Sequence, residues 1–524
     1  MIGSILSLAA LAAAQEAYNP PSYTPPSYTP PSYTPAKEPV DSKALQASIL
    51  ESALSQKAHE LEDAAYSTPQ RNRVFSSPGH ENTLQFIEGY LETVSDYYDF
   101  RRQEFQALYS QASGEFSADG TAYDPTIYQY SPSSPVEGIT AALVPVANNG
   151  CNATDYPAEV SGAIALISRG LCDFGLKSAL AGAAGAEGAI IYNNIPGPVT
   201  GGTLGPPPRA EGDYIPTAGI TQDNGTALLA AINGGQTVEG VLLVDSVIEN
   251  RTTYNIIADS KGGDKNNVLA IGAHSDSVYA GPGINDDGSG TIGILETAIQ
   301  LAKYTTTNAV RFCFWSAEEF GLLGSEYYAS QINGTEEAEK IRLYLNFDMI
   351  ASPNYVYALY DGDGSAFNIT GPPGSGEAEA FFENWFEEQG LPTKETDFDG
   401  RSDYGPFLDI GVAAGGIFTG AEEVKTEEEA AVFGGEAGVA YDVNYHQAGD
   451  NYTNLNFEAF LVNTKAIAAA TAFYTTSFDS LPPRNATIEG RKRRSVSRHP
   501  HKRQNKMSHS HHMHDCGRSE KITH

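Results

Sequence analysis

Cysteine is scarce, with four in 524 residues. That excludes a disulfide-built scaffold, so the chain has to hold itself together through an apolar core. Cys151 and Cys172 are the pair expected to bridge. Cys313 lies in the apolar run 310–315 and reads as a buried thiol, and Cys516 falls in the C-terminal tail. Apolar runs of membrane-spanning length are missing too. The run at 2–14 is too short to cross a bilayer, ends in Ala12-Ala13-Ala14, and reads as a signal peptide over 1–14. Positive charge is sparse, 32 Lys and Arg against 65 acids, for a net charge of -33. Residues 491–524 hold 10 of those bases and two acids, which leaves about -41 on the remainder. Such a body repels nucleic acid and anionic membranes, and neither is expected as a partner. Histidine is the last scarcity: of 11, only His59, His80, His274 and His446 lie outside the tail.

Seven Asn-x-Thr sequons, at Asn152, Asn224, Asn250, Asn333, Asn368, Asn451 and Asn485, agree with passage through the secretory pathway. Secretion is the expected destination, with a vacuole lumen as the alternative.

The length suggests two folded units with tails. Residues 15–70 hold three Pro-Pro-Ser-Tyr-Thr repeats (20–34), an extended spacer, and a polar helical stretch at 43–65 that together read as a candidate pro-segment. Residues 71–124 open the main domain, and apolar positions Leu84, Ile87, Leu91 and Val94 give 81–110 helical spacing. His59 and His80 sit in polar surroundings and read as surface residues. Over 125–250 the texture changes to short strands and glycine-rich turns. From 251 to 480 strands alternate with helices: strands at 268–273, 310–315, 343–347 and 412–418, helices at 288–304, 322–332, 378–389 and 457–476. This pattern predicts an α/β fold with a mixed, largely parallel central sheet and helices on both faces, whose site forms where strands end. Residues 481–524 form a basic, histidine-rich tail expected to be disordered.

The chemistry-bearing residues fall at those strand ends. His274 closes a strand, and Asp276, two residues on, shares its face and can accept the other ring N–H. A glycine-rich loop then presents Asp286 and Asp287 at the start of a helix. One of these carboxylates can bridge two cations while the other caps the helix. The strand 310–315 delivers the adjacent pair Glu318 and Glu319, one free to bind metal and the other to act as a base. Asp348 follows the next strand, where burial calls for a cationic partner. Tyr445 and His446 sit side by side in a loop before the last helix. Together these residues suffice to hold two zinc ions with a shared carboxylate and open positions for water and substrate.

Gly-Ala-His274, Pro-Gly-Ile-Asn-Asp286, Ala-Glu318-Glu319-Phe-Gly-Leu-Leu-Gly-Ser325, Leu-Asn-Phe-Asp348-Met-Ile and Tyr445-His446-Gln447-Ala closely resemble, in this order, the co-catalytic zinc aminopeptidases. The stretch Arg169-Gly-Leu-Cys172-Asp-Phe174 and the glycine- and alanine-rich run that follows resemble the protease-associated domain, a smaller inserted α/β unit expected to gate substrate. The resemblance implies the zinc exopeptidase fold and two Zn2+ per chain. His274 and Asp348 would hold one zinc, Glu319 and His446 the other, and Asp286 would bridge them. It also implies that a metal-bridged hydroxide cleaves N-terminal residues from peptides with free amino termini. In that scheme Glu318 is the general base, Tyr445 the donor to the oxyanion, Asp276 a support for His274, and Arg401 a lining residue of the substrate cleft. Asn444 and Gly449 stand where bacterial relatives close this loop with a disulfide. A carboxypeptidase on the same scaffold would need clustered arginines, and the catalytic region offers only Arg311, Arg342 and Arg401. A glutaminyl cyclase would use one zinc, and a binding protein with a dead site would have lost ligands. The sequence leaves the oligomeric state open.

Overall fold

The computed structural model describes residues 37–199 and 202–483. The expected signal peptide, the proline-rich repeats, the basic tail with Cys516 and the sequon at Asn485 lie outside the described residues.

Strand–helix alternation yields a mixed α/β architecture built on a 14-stranded sheet. Its larger part runs, from one edge inward, through Lys394–Thr396, Ala358–Tyr360, Ala414–Phe418, Ile341–Phe347, Asp264–His274, Asn308–Trp315 and Glu239–Ser260. The strands from Ala414–Phe418 to Asn308–Trp315 pair in parallel. Parallel strands are buried on both faces, and Asn308–Trp315 is buried at every position. Side chains alternate across the sheet. Leu269, Ile271, Phe312, Phe314 and Leu345 pack under the helices Gly288–Leu301 and Phe457–Thr476. Ala270, Cys313, Trp315 and Tyr344 face the opposite way, toward Tyr328 and Phe407.

In the inserted unit, Ile139–Pro145, Ile164–Ser168, Gly188–Tyr192 and Thr217–Ile220 also pair in parallel, and Cys151 is bonded to Cys172. A long antiparallel ribbon joins the two parts, pairing Tyr98–Ala118 with Glu239–Ser260 from Tyr98↔Ser260 to Ala118↔Gly240. One end of Glu239–Ser260 borders Asn308–Trp315 and the other borders Ile139–Pro145.

Three expectations are corrected. Helical spacing over 81–110 holds only as far as the helix Pro78–Glu92, which Ser77 caps by accepting from the His80 N–H at 3.1 Å. From Tyr98 the chain is strand, because it finds a partner more than a hundred residues away that local spacing does not reveal. The segment taken as a candidate pro-segment forms the helices Ser42–Ser48 and Glu51–Tyr66, whose Leu45, Leu54, Ala58 and Leu61 are wholly buried in the main core. Residues 42–66 thus pack into the main core. His80 is buried, at 1% exposure, whereas His59 is exposed and stacks on Tyr452.

Candidate active site

Three adjacent parallel strands end together. Asn308–Trp315 pairs with Asp264–His274 so that Trp315 lies opposite His274, and on the other side Asn346 lies opposite Gly272. This register carries His274, the Glu318–Glu319 pair and Asp348 to one edge of the sheet, where parallel α/β folds place their sites. Left-handed backbone at Ala317 (φ 59°), Met349 (φ 54°) and His446 (φ 56°) aims the neighbouring side chains inward. Such conformations are uncommon for residues with a Cβ and cluster at functional sites.

The two histidines converge on one carboxylate. His274 Nε2 lies 3.1 Å from Asp286 Oδ1, and His446 Nε2 lies 3.2 Å from Asp286 Oδ2. Asp348 Oδ1 stands 3.6 Å from His274 Nε2, and Glu319 Oε2 stands 3.1 Å from His446 Nε2. Asp287, also near His274, is committed elsewhere. It accepts from the backbone N–H groups of Gly290 (2.8 Å), His274 (3.0 Å) and Met349 (3.1 Å), capping the helix Gly288–Leu301.

Burial disfavours charge on His274 and His446, yet Asp348 and Glu318 around the first, and Glu319 and Asp286 around the second, outweigh it and raise both pKa values well above the usual range. Asp348 Oδ1 and Glu319 Oε1 are buried with no hydrogen-bond partner. A field that favours positive charge, with orphaned carboxylate oxygens beside it, fits the binding of divalent metal.

Glu318 is buried, with Oε2 3.9 Å from His274 Nε2. Burial raises its pKa well above the ordinary value; His274 opposes this and the Glu319 carboxylate adds to it. Asp276 lies beside His274. Its carboxylate stands 3.7 Å from His274 Nδ1, and the nearer acceptor is its own backbone carbonyl at 3.3 Å. The carboxylate instead accepts the backbone N–H of Glu318 at 3.1 Å. Tyr445 stacks on His446, and its hydroxyl lies 3.4 Å from Arg401, which is paired with Glu422 (3.0 Å) and Glu423 (3.4 Å) at the rim.

Two supports went unread in the sequence. Ser402 donates to Asp348 Oδ2 at 2.6 Å. The Tyr445–His446 loop is closed by amides where a disulfide is absent: Asn444 donates to Asn454 (2.7 Å), and Asn454 donates to Asp442 (2.9 Å) and Asp450 (3.2 Å). Asp450 accepts from the backbone N–H groups of Asn285 (2.8 Å) and Asp286 (3.0 Å), tying this loop to the one that carries Asp286. Gly449 leaves room for this, since a Cβ on it would fall 2.1 Å from the Asn444 side chain and force it to shift.

Behind the site, the Ser275 hydroxyl donates to Trp315 O at 2.8 Å, so His80 Nε2, 3.0 Å away, must be the N–H donor to Ser275. Burial lowers the His80 pKa from 6.5 to about 4; Asp276 and Glu81 oppose this, while Arg73 and Arg102 reinforce it. The unfolded chain therefore binds the proton first. Stability falls as pH drops below 6.5, by roughly 2–3 kcal/mol on reaching pH 4.5. Denaturant unfolding of wild type and His80→Gln at pH 7 and 4.5 measures this: the stability difference between them should move toward the variant by that amount.

The sequence matches the model of peptidase family M28 over residues 255–471 and that of the PA domain over 139–228. It is 54% identical over 451 residues to the probable leucine aminopeptidase 2 of Aspergillus fumigatus, covering 86% of this chain and 89% of that protein. An aminopeptidase from Aneurinibacillus sp. strain AM-1 shares the fold with a TM-score of 0.66 at 26% identity, covering 82% of this chain and 95% of that one. A zinc aminopeptidase from Bacillus subtilis does so with a TM-score of 0.62 at 25% identity, covering 83% and 96%. With its sheet-end cluster of acids and histidines, this chain belongs to peptidase family M28, hydrolases acting on peptides, and carries an inserted PA domain.

Proposed function

We propose that this peptidase is a two-zinc aminopeptidase that removes single residues from the free N-termini of peptides. The observation that carries the reading is the convergence of His274 and His446 on opposite oxygens of Asp286. A carboxylate shared in this way is the geometry of a bridge between two cations, with Asp348 completing one set and Glu319 the other. The names of the aminopeptidase relatives support the same activity.

Zinc bound here supplies a Lewis acid that polarises the scissile carbonyl and makes water acidic enough to lose a proton near neutral pH. The chain's own groups do the rest. Glu318 takes the proton of the attacking water and returns it to the departing amine. Tyr445 donates its hydroxyl to the oxyanion as the carbonyl becomes tetrahedral. The free amine of the substrate would be received beside the metal by an acidic residue, which restricts cleavage to the first residue. Asp276 holds the backbone of Glu318, and Arg401 lines the mouth beside Tyr445.

The Cys151–Cys172 bond suits an oxidising compartment, and among the described residues no helix is long and apolar enough to cross a membrane. The bond favours the secretory route, ending in secretion, with a vacuole lumen as the alternative. The sequons at Asn152, Asn250, Asn333 and Asn368 are exposed and open to glycosylation, while Asn224 and Asn451 are half-buried.

A panel of aminoacyl anilides, with N-acetylated counterparts, tests the activity. Cleavage of the free-amine compounds alone is expected, abolished by a chelator and restored by zinc, with two zincs per chain in the active protein. Cleavage of the blocked substrates, or chelator-resistant cleavage, would overturn the reading.

A further inference from the structure

Arg73 lies in Arg71-Asn72-Arg73-Val74, ahead of the helix Pro78–Glu92 and outside the stretch matched to the peptidase family. Its side chain is wholly buried, at 0% exposure, and forms no ion pair among the described residues. Burying a guanidinium is costly unless its N–H groups are used. Three of its five N–H groups, one on each nitrogen, are spent on backbone carbonyls. Nε donates to Pro282 at 2.6 Å, Nη2 to Gly283 at 2.5 Å, and Nη1 to Ser275. The backbone N–H of Arg73 donates to Ser277 Oγ at 2.8 Å.

One side chain thus spans two loops. Ser275 adjoins His274, and 282–283 lead into Asp286. Glycine makes the approach feasible: Gly283 is left-handed at φ 61°, and a Cβ there would lie 2.7 Å from Ser277 Cβ and 3.1 Å from Arg73 Nη2. Behind it, a Cβ on Gly79 would fall 1.9 Å from the Asn72 carbonyl, so that glycine lets the helix Pro78–Glu92 press the segment into place. Burial favours loss of the Arg73 proton, and the carboxylates of Asp276, Asp287, Asp450 and Asp286 act against that loss.

We propose that Arg73 is a positioning residue for the metal centre, its planar fork fixing from behind the separation of the loops that carry His274 and Asp286. The fork is essential, because a lysine ammonium carries the charge without the fixed, planar set of donors that spans both loops. Arg73 touches neither substrate nor metal. It supplies an internal cation in contact with both loops, so it also tempers repulsion among the acids before any zinc arrives.

This inference rests on the two-zinc reading, and the experiment separates the two. Zinc per chain is measured at buffered free zinc for wild type, Arg73→Lys, Arg73→Met and Ser277→Ala, alongside kcat and KM on leucine anilide and thermal unfolding of the metal-free proteins. Arg73→Met is expected to lower zinc affinity and kcat by about 10–100-fold, with KM within about threefold of wild type. Arg73→Lys should fall between that variant and wild type. Ser277→Ala, which removes the bond from the Arg73 backbone together with the Ser277 hydroxyl's bonds to the Val278 and Gly281 carbonyls (each 3.1 Å), should fold as wild type and lose zinc affinity several-fold. Wild-type zinc affinity in folded Arg73→Met would overturn the proposal. So would full recovery in Arg73→Lys, which would reduce the role to charge alone. Should Arg73→Met fail to fold, unchanged zinc affinity in Ser277→Ala overturns it instead. A wild-type protein that binds no zinc would sink the metal reading itself.

Discussion

Glu318→Gln is expected to lower kcat by about 10²–10⁴-fold while leaving zinc content, KM and unfolding temperature near their wild-type values. The side chain keeps its shape and burial but can no longer take a proton. Its neighbours argue for this separation of effects. Glu318 is not one of the carboxylates that pair with His446, and its backbone N–H remains held by Asp276. Glu319→Gln should behave differently, losing zinc together with activity, because Glu319 Oε2 faces His446 at 3.1 Å. Steady-state kinetics with metal analysis on both variants makes the distinction. A Glu318→Gln protein that keeps wild-type kcat would remove that residue from the chemistry.

Lys57→Ala is expected to cost about 3–5 kcal/mol of stability, the largest loss anticipated from a single change outside the catalytic centre. Lys57 Nζ lies 2.8 Å from Glu296 with both side chains almost fully buried, and it also sits 4.4 Å from the Tyr90 ring centre. Truncation leaves Glu296 as an unpaired charge inside the helix Gly288–Leu301, whose N-terminus Asp287 caps. Replacing both partners with apolar residues, as in Lys57→Met with Glu296→Leu, should restore most of the loss. Denaturant titrations of the single and double variants measure it. The same pair bears on maturation: cutting away residues 42–66 would strip Leu45, Leu54 and Leu61 from the core and leave Glu296 without its partner. N-terminal sequencing of the active enzyme should therefore find its first residue before Ser42.

Much of the architecture could be read in advance where local signals and tertiary demand agree. The helix Phe457–Thr476 falls where the strand–helix alternation places it. His274, Glu318, Glu319 and Asp348 are legible because polar residues following apolar strands stand out, and the parallel register then gathers them. Legibility ends where burial depends on a distant partner. Tyr98–Ala118 mixes charged and apolar residues and becomes strand only through Glu239–Ser260. Arg73 and His80 look like surface residues in their own neighbourhoods, yet each is buried by loops some 200 residues further on. The amide closure of the Tyr445–His446 loop was hidden for a related reason. Asn444, Asn454, Asp442 and Asp450 are ordinary turn residues until they are seen bonding to one another.

The long ribbon also bears on the order of folding. Tyr98 pairs with Ser260 and Ala118 with Gly240, so zipping the ribbon from an unfolded chain means closing a loop well over a hundred residues long. The entropy of that closure slows any sheet that depends on it. The PA domain changes the arithmetic, because its strands pair largely among themselves, and Ile139–Pro145 already contacts the Gly240 end of the ribbon. Once that unit has folded, Ala118 and Gly240 are neighbours, and the ribbon can grow from its far end back toward the peptidase sheet one pair at a time. Besides any part in admitting substrate, the insertion then serves as the staple from which the catalytic half is assembled.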